Sequence, residues 1–296
     1  MSPSSPADDV RVERGLAWLH SNGFETVLAP SASVRGGIHA GTVEERAREL
    51  ESFFRDPTID GILFVRGGSG CAPLLLELDF DLIRAHPKLV VGLSDPTALL
   101  LGLLSQTGLV SLSGQMVVQL HEDTPAYTQE RWWSFVRGPW PTGPIPLPED
   151  RTLDVLVPGS AEGPLVPANF AVFSSLIGTR FMPDLDGAIL VLEDIDERPE
   201  GLDRMVSQMR LSGLDQRLAG LVLGQFTHCV PRNEKLTEEE GLQLIWEWAS
   251  GLGIPVLRGF PYGHEAVACP LPCGARARIS TTPPSLSILD APAALV

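Results

Sequence analysis

Short apolar runs alternate with amphipathic stretches along the first 113 residues. Val12, Leu16 and Leu19 recur at helical spacing, and Asn22-Gly23 follows as a stop signal, so a helix is predicted over 10–21. Residues 24–28 read as a short strand. Residues 42–54 form an amphipathic pattern opened by Thr42 with Glu45 three positions on, the signature of a capping box. An apolar run over 60–65 ends in Arg66-Gly67-Gly68-Ser69-Gly70. A helix over 73–85, a strand over 88–91, a helix over 95–104 and a strand over 109–112 complete the pattern. Such alternation predicts an α/β fold with a mainly parallel sheet.

The texture changes after residue 137. Positions 138–148 hold five prolines and two glycines, a composition suited to a linker. Beyond it, apolar runs at 152–157, 187–192 and 220–224 alternate with helical patterns at 203–212 and 237–250, and the last thirty residues are short strands punctuated by Pro and Gly. The expected organisation is an α/β domain over 1–137, a linker over 138–164 and a mixed α+β domain over 165–296.

Composition narrows the function classes. Of 296 residues, 44% are hydrophobic, too many for a disordered chain, and the formal charge of −15 disfavours nucleic acid or an anionic membrane as partner. The start, Met1 to Asp9, shows neither a basic nor an apolar signal region, and the most apolar stretch, 89–104, is broken by Ser94, Asp95 and Pro96, so no membrane span is predicted and the expected location is the cytoplasm. Cys71, Cys229, Cys269 and Cys273 make no disulfide framework. Cys269 and Cys273 have no second Cys/His pair at matching spacing, so no metal is expected.

Four segments carry candidate chemistry. In Lys88-Leu89-Val90-Val91-Gly92-Leu93-Ser94-Asp95-Pro96-Thr97, a buried strand turns into a helix and lifts Ser94 out of the sheet, beside the free N–H groups of the helix start. This is the logic of a nucleophile elbow, although a Ser before a helix is also a common N-cap. Arg66-Gly67-Gly68-Ser69-Gly70 presents backbone N–H groups, or is simply a tight turn. Glu193 is the first acid after the apolar run Ala188 to Leu192 and is placed to orient a histidine; Asp194, Asp196, Glu197 and Glu200 read as an exposed acidic rim. Of the six histidines, His264 alone sits in a glycine-flanked loop after a strand-like run. Ser, acid, His is a permitted chain order for a triad.

Together these segments resemble the LD-carboxypeptidases, serine peptidases that include murein tetrapeptide carboxypeptidases and microcin C self-immunity peptidases. The resemblance spans about Val10 to Gly274. It rests on Arg66-Gly67-Gly68-x-Gly70, Gly92-x-Ser94-Asp95-x-Thr97-Ala98, Ser113-Gly114, Asn169 with Ser175-Leu176-Ile177-Gly178-Thr179, Ile189 to Ile195, and Gly263-His264 followed by Leu271-Pro272-x-Gly274. It implies Ser94 as nucleophile, His264 as general base and Glu193 as the acid that orients it. Backbone N–H groups of Asp95 and of Gly67 or Gly68 would form the oxyanion hole. It implies no cofactor, a C-terminal domain with a β-rich core, and commonly a homodimer. Family members open with a short apolar strand before a Pro-Ser loop, whereas this chain opens at the loop itself, so that strand is expected to be absent here. The implied substrate is a small murein tetrapeptide-like peptide, cut at an L,D-amide bond to release terminal D-alanine in cell-wall recycling. The alternatives are a detoxifying peptidase of the microcin C immunity type and a catalytically silent peptide-binding member.

Overall fold

A computed structural model of the chain describes residues 1–232 and 235–290. The elements run in the order α1 (Asp9–Ser21), α2 (Val43–Arg55), β1 (Gly61–Leu63), α3 (Phe80–Ala85), β2 (Leu89–Gly92), α4 (Thr97–Thr107), β3 (Ser111–Ser113) and α5 (Ala126–Val136). They continue as β4 (Gly143–Pro144), β5 (Asp154–Val157), β6 (Ser160–Asn169), α6 (Phe170–Ser175), β7 (Ile189–Ile195), α7 (Pro199–Ser212), β8 (Gly220–Thr227), α8 (Glu238–Ser250), β9 (Val256–Arg258), β10 (Leu271–Cys273), β11 (Arg276–Thr281) and β12 (Pro284–Ile288).

Two sheets organise these elements, and the α/β class read from the sequence holds. The smaller has the order β1-β2-β3-β10, with β1, β2 and β3 parallel and β10 antiparallel to β3. The larger has the order β4-β12-β11-β6-β7-β8-β9-β5, and its central strands β6 to β9 are parallel. Strands buried on both faces read as continuous apolar runs rather than alternating ones. This is why β7 and β8, whose residues are buried except the last of each, were legible in the sequence. β4 and β5 lie within the Pro/Gly-rich stretch, where β5 closes one edge of the larger sheet against β9.

Helix α4 is apolar on every side from Ala98 to Leu104, and its residues from Thr97 to Leu103 are all buried. A helix of that kind belongs in a core rather than on a surface. It packs against β2 and β3 of the small sheet and against β6, β10 and α6. It therefore lies between the two halves of the molecule. The chain binds them further by leaving the larger sheet after β9 and pairing Leu271, Pro272 and Cys273 of β10 with Ser113, Leu112 and Ser111. At the opposite edge of the small sheet, Met1 runs parallel beside β1: its nitrogen donates to Leu63 O at 3.4 Å and its carbonyl accepts from Val65 N at 2.9 Å.

Local signals held where they rested on specific side-chain geometry. Thr42 and Glu45 cap α2 reciprocally, as their spacing predicts. Two expectations fail. Residues 24–28 form no strand and instead line a groove of about 750 Å³ beside β1. The helix predicted over 73–85 breaks in two, because Asp79 accepts from the N–H groups of Asp81 and Leu82 at 3.0 Å each and so starts α3 afresh. Trp132, 1% exposed, meets Trp18 edge-on at 5.8 Å between ring centroids and donates its indole N–H to Gln115 O at 3.1 Å. Replacing it with Ala is expected to cost about 3–5 kcal/mol, read as a lower denaturation midpoint.

Candidate active site

The end of β2 sets the first half of the site. Gly92 leads through Leu93 to Ser94, which has a φ of +70°. A non-glycine residue held there costs on the order of 1–3 kcal/mol, and such strain clusters at functional positions. Ser94 O then accepts from Thr97 N at 2.8 Å, which starts α4. The hydroxyl thus stands at a strand-to-helix corner, beside the N-terminal turn of a buried helix. The N–H groups of Asp95, Gly67 and Gly68 donate to no protein acceptor among the described residues.

The glycine loop lies against that corner. A Cβ on Gly67 would sit 2.9 Å from Ser94 Cβ and 3.1 Å from Ser94 Oγ, so only glycine allows this approach. Gly68 has a φ of +125°, and a Cβ there would meet the Ser5 hydroxyl. The sequence left this loop open between an anion cradle and a plain turn. Its packing on Ser94 ties it to the site.

Asp95 has a second contribution that the sequence did not reveal. Its side chain is buried, and Oδ2 accepts from Ser4 Oγ at 2.6 Å and from Cys71 N at 2.9 Å. Arg46, 1% exposed, donates to Pro3 O and, at 2.8 Å, to Gly70 O. A buried guanidinium and a buried carboxylate thereby hold residues 3–5 and the glycine loop against the Ser94 corner. Neither was legible, because their partners are backbone groups and residues far away in the chain.

The other half of the site comes from the larger sheet. Glu193 lies in the buried stretch of β7, which runs on through Asp194, and has no exposed surface; its Oε2 lies 2.6 Å from His264 Nδ1. A hydrogen bond at Nδ1 directs Nε2 away from the acid, where it can exchange a proton. Gly263 has a φ of +145°, and a Cβ there would sit 2.9 Å from Gln225 Cβ and 3.2 Å from Glu193 Oε2. Gln225 pins the loop beyond: Oε1 accepts from Glu265 N at 3.0 Å and Nε2 donates to Val267 O at 2.8 Å. Gln225 passed unnoticed in the sequence because an amide in a strand has no spacing signature.

Burial opposes the charged imidazolium of His264, but the hydrogen bond and charge of Glu193, helped by Asp194 and Asp196, outweigh it and raise the pKa above 6.5. Asp194 overturns its expected place on an exposed rim. It is 1% exposed, and burial and the adjacent Glu193 push its carboxyl up to about 7. Asp196 and Glu200 are exposed as expected, and Glu197 is half-buried. Successive strand residues normally point to opposite faces. Both faces of β7 are covered, so both carboxylates are buried; the register with β8 shifts between Leu192 and Asp194, the extra residue lying on β8.

The structure joins Glu193 to His264 and packs Gly67 onto Ser94. It draws no direct hydrogen bond between Ser94 and His264, a contact that commonly tightens only when substrate binds. Cys269 and Cys273 are buried thiols that burial pushes up to about 12. Among the described residues no group of three His, Cys, Asp or Glu side chains is placed to hold a metal ion, and no helix is long and apolar enough to cross a membrane.

Two matches cover most of the chain. Residues 1–114 match the LD-carboxypeptidase N-terminal domain and residues 162–279 the LD-carboxypeptidase C-terminal domain. The chain belongs to the LD-carboxypeptidase family. It is 34% identical to a probable murein peptide carboxypeptidase of Bacillus subtilis, over 95% of this chain and 88% of the relative. Its fold is similar to that of the muramoyltetrapeptide carboxypeptidase from Oxalobacter formigenes, with a TM-score of 0.84, 30% identity and 99% of each chain covered. It is also similar to MccF in complex with glutamyl sulfamoyl guanosine, with a TM-score of 0.87, 26% identity and 98% of this chain and 94% of that one covered.

The electrostatics of the pair can be read directly. His264 is expected to titrate above 6.5 in an NMR pH series, and Glu193→Gln, which removes the dominant stabilising charge, is expected to lower that value. An unchanged midpoint in the variant would refute Glu193 as the cause.

Proposed function

We propose that this carboxypeptidase is of the serine type, with Ser94 as nucleophile, His264 as general base and Glu193 as the acid that orients it. The observation that carries the reading is the 2.6 Å contact between buried Glu193 and His264 Nδ1, together with a strained Ser94 at a helix start. In the acylation step His264 Nε2 takes the proton of Ser94 Oγ as Oγ bonds to the amide carbonyl carbon. Glu193 stabilises the imidazolium that results. The N–H groups of Asp95 and of Gly67 or Gly68 face the developing oxyanion. His264 then returns the proton to the amine nitrogen as the C–N bond breaks, and water releases the acyl group by the same steps in reverse order.

The substrate we propose is a murein tetrapeptide, cut at the L,D-amide bond to release terminal D-alanine. The named relatives from B. subtilis and O. formigenes support this choice. A second reading, hydrolysis of an aminoacyl or peptidyl nucleotide amide, draws its support from the fold shared with MccF and the glutamyl sulfamoyl guanosine bound in that protein.

Incubation with a tetrapeptide ending in an L-diamino acid–D-alanine bond separates the two. D-alanine is expected from the wild type, and Ser94→Ala is expected to lower kcat by at least about a thousand-fold. Turnover of the nucleotide amide alone would select the second reading, and release that persists in Ser94→Ala would overturn the triad.

Only neutral His264 accepts the Ser94 proton, and its pKa is raised. The rate is therefore lost as pH falls through that raised value and recovered above it. The acid limb of kcat/KM is expected above 6.5. A profile flat from about pH 5 to 8 would exclude His264 as the base.

A further inference from the structure

Asn169 occupies the point where four parts of the site meet. It is the last residue of β6, 3% exposed, and lies opposite Glu193 in the parallel register of β6 and β7. Its amide nitrogen Nδ2 lies 3.1 Å from Glu193 Oε1 and 3.1 Å from Asp194 Oδ1. An amide NH₂ has two protons, one for each carboxylate. Its Oδ1 accepts from Val172 N at 3.1 Å and caps α6. Its backbone N–H donates to Thr97 Oγ1 at 3.3 Å, in the first turn of the helix that follows Ser94.

The division of labour around Glu193 is specific. Oε2 serves His264, and Oε1 is held by Asn169. Asp194 Oδ1 takes the other amide proton and the N–H of Ile195 at 2.8 Å, while Oδ2 accepts from Ala171 N at 2.9 Å. Two adjacent buried carboxylates repel, and among the contacts between described residues none joins a lysine or arginine to either. Two-proton donation by one amide fixes both orientations without adding a cation that would compete with the imidazolium for Glu193.

We infer that Asn169 is a positioning residue that clamps the Glu193 carboxylate toward His264 and couples it, through Thr97, to the helix that carries the Ser94 corner. The inference deepens the proposed Ser-His-Glu chemistry and rests on it for its catalytic consequence, but the orientation of Glu193 is testable without turnover.

Asn169→Ser separates this role from helix capping. Serine is as good an N-cap as asparagine, so α6 keeps its start, but a single short hydroxyl cannot span both carboxylates. Asn169→Asp is a second, isosteric variant that also caps and replaces the donors with an acceptor. The downfield imidazole N–H resonance of His264 reports the Glu193 contact directly. In Asn169→Ser it is expected to weaken or vanish while the cooperative melt is retained, with kcat falling about 100-fold, the scale of a misplaced catalytic group. KM is expected to stay within about threefold, because the lost interaction orients the acid rather than binds the substrate. Asn169→Asp is expected to lose the resonance as well.

Wild-type resonance and kcat in both variants would overturn the inference and leave the triad standing. A resonance that vanishes in the variants of a wild type that cleaves no L,D-amide would support the clamp and defeat the proposed activity instead. Loss of kcat with the resonance intact would assign Asn169 to substrate contact and overturn the positioning role.

Discussion

Burying Glu193 completely at the end of β7 is the constraint around which the site is arranged. A carboxylate removed from water needs a full set of hydrogen-bond donors, and a cation close at hand only if the protein can tolerate a permanently paired charge. Here the donors are an imidazole N–H and an amide N–H. One belongs to a titratable ring and the other to a neutral amide. Asp194 is raised by its own burial and by the adjacent Glu193, whereas in His264 burial opposes the charged form and the hydrogen bond and charge of Glu193 outweigh it.

The neutral amide has consequences for the rest of the fold. Asn169 must sit at the end of β6 in register with Glu193, which requires β6 and β7 to be parallel neighbours, as they are. It must also reach Thr97, which requires α4 to lie between the sheets. The apolar stretch of α4 from Ala98 to Leu103, buried on every side, secures that position. β10 adds a second connection by crossing to the small sheet, and the hydrogen bond of 2.7 Å between Ser113 Oγ and Tyr262 OH lies next to the Gly263 loop. Ser94 and His264 thus come from segments far apart in the chain, held by elements that bury apolar surface first and align polar atoms second.

At Ser94 the controlling device is backbone geometry. Ser94 holds a positive φ that its side chain disfavours, and the strain is sustained by contacts on every side: Gly67 without a Cβ, Asp95 anchored by Ser4 and Cys71, and α4 starting at once behind it. Arg46 closes this arrangement from outside by gripping the backbone at Pro3 and Gly70. The chain's acidic character does not enter here. The charges that matter are few, buried and individually accounted for.

The sequence by itself determined a good deal. Parallel strands buried on both faces leave apolar runs, so β2, β7 and β8 announced themselves, and Ser94, Glu193 and His264 stood out because each follows such a run at a turn or strand end. Thr42 with Glu45 declared a helix start because that signal is wholly local. What the sequence misjudged depended on distant partners or on a single local bond. Asp194 read as surface charge because it opens a run of acids; β7 is covered on both faces, so the residue beside Glu193 is buried as well. The helix over 73–85 broke because one aspartate side chain competed with the backbone. Asn169, Gln225, Arg46 and the side chain of Asp95 carry no spacing signal of their own, because their partners lie 24 to 91 positions away or are backbone atoms. Hydrophobic periodicity is a property of neighbours in the chain, and it fixed which segments are buried. Polar satisfaction is a property of neighbours in space, and only the tertiary structure decided it.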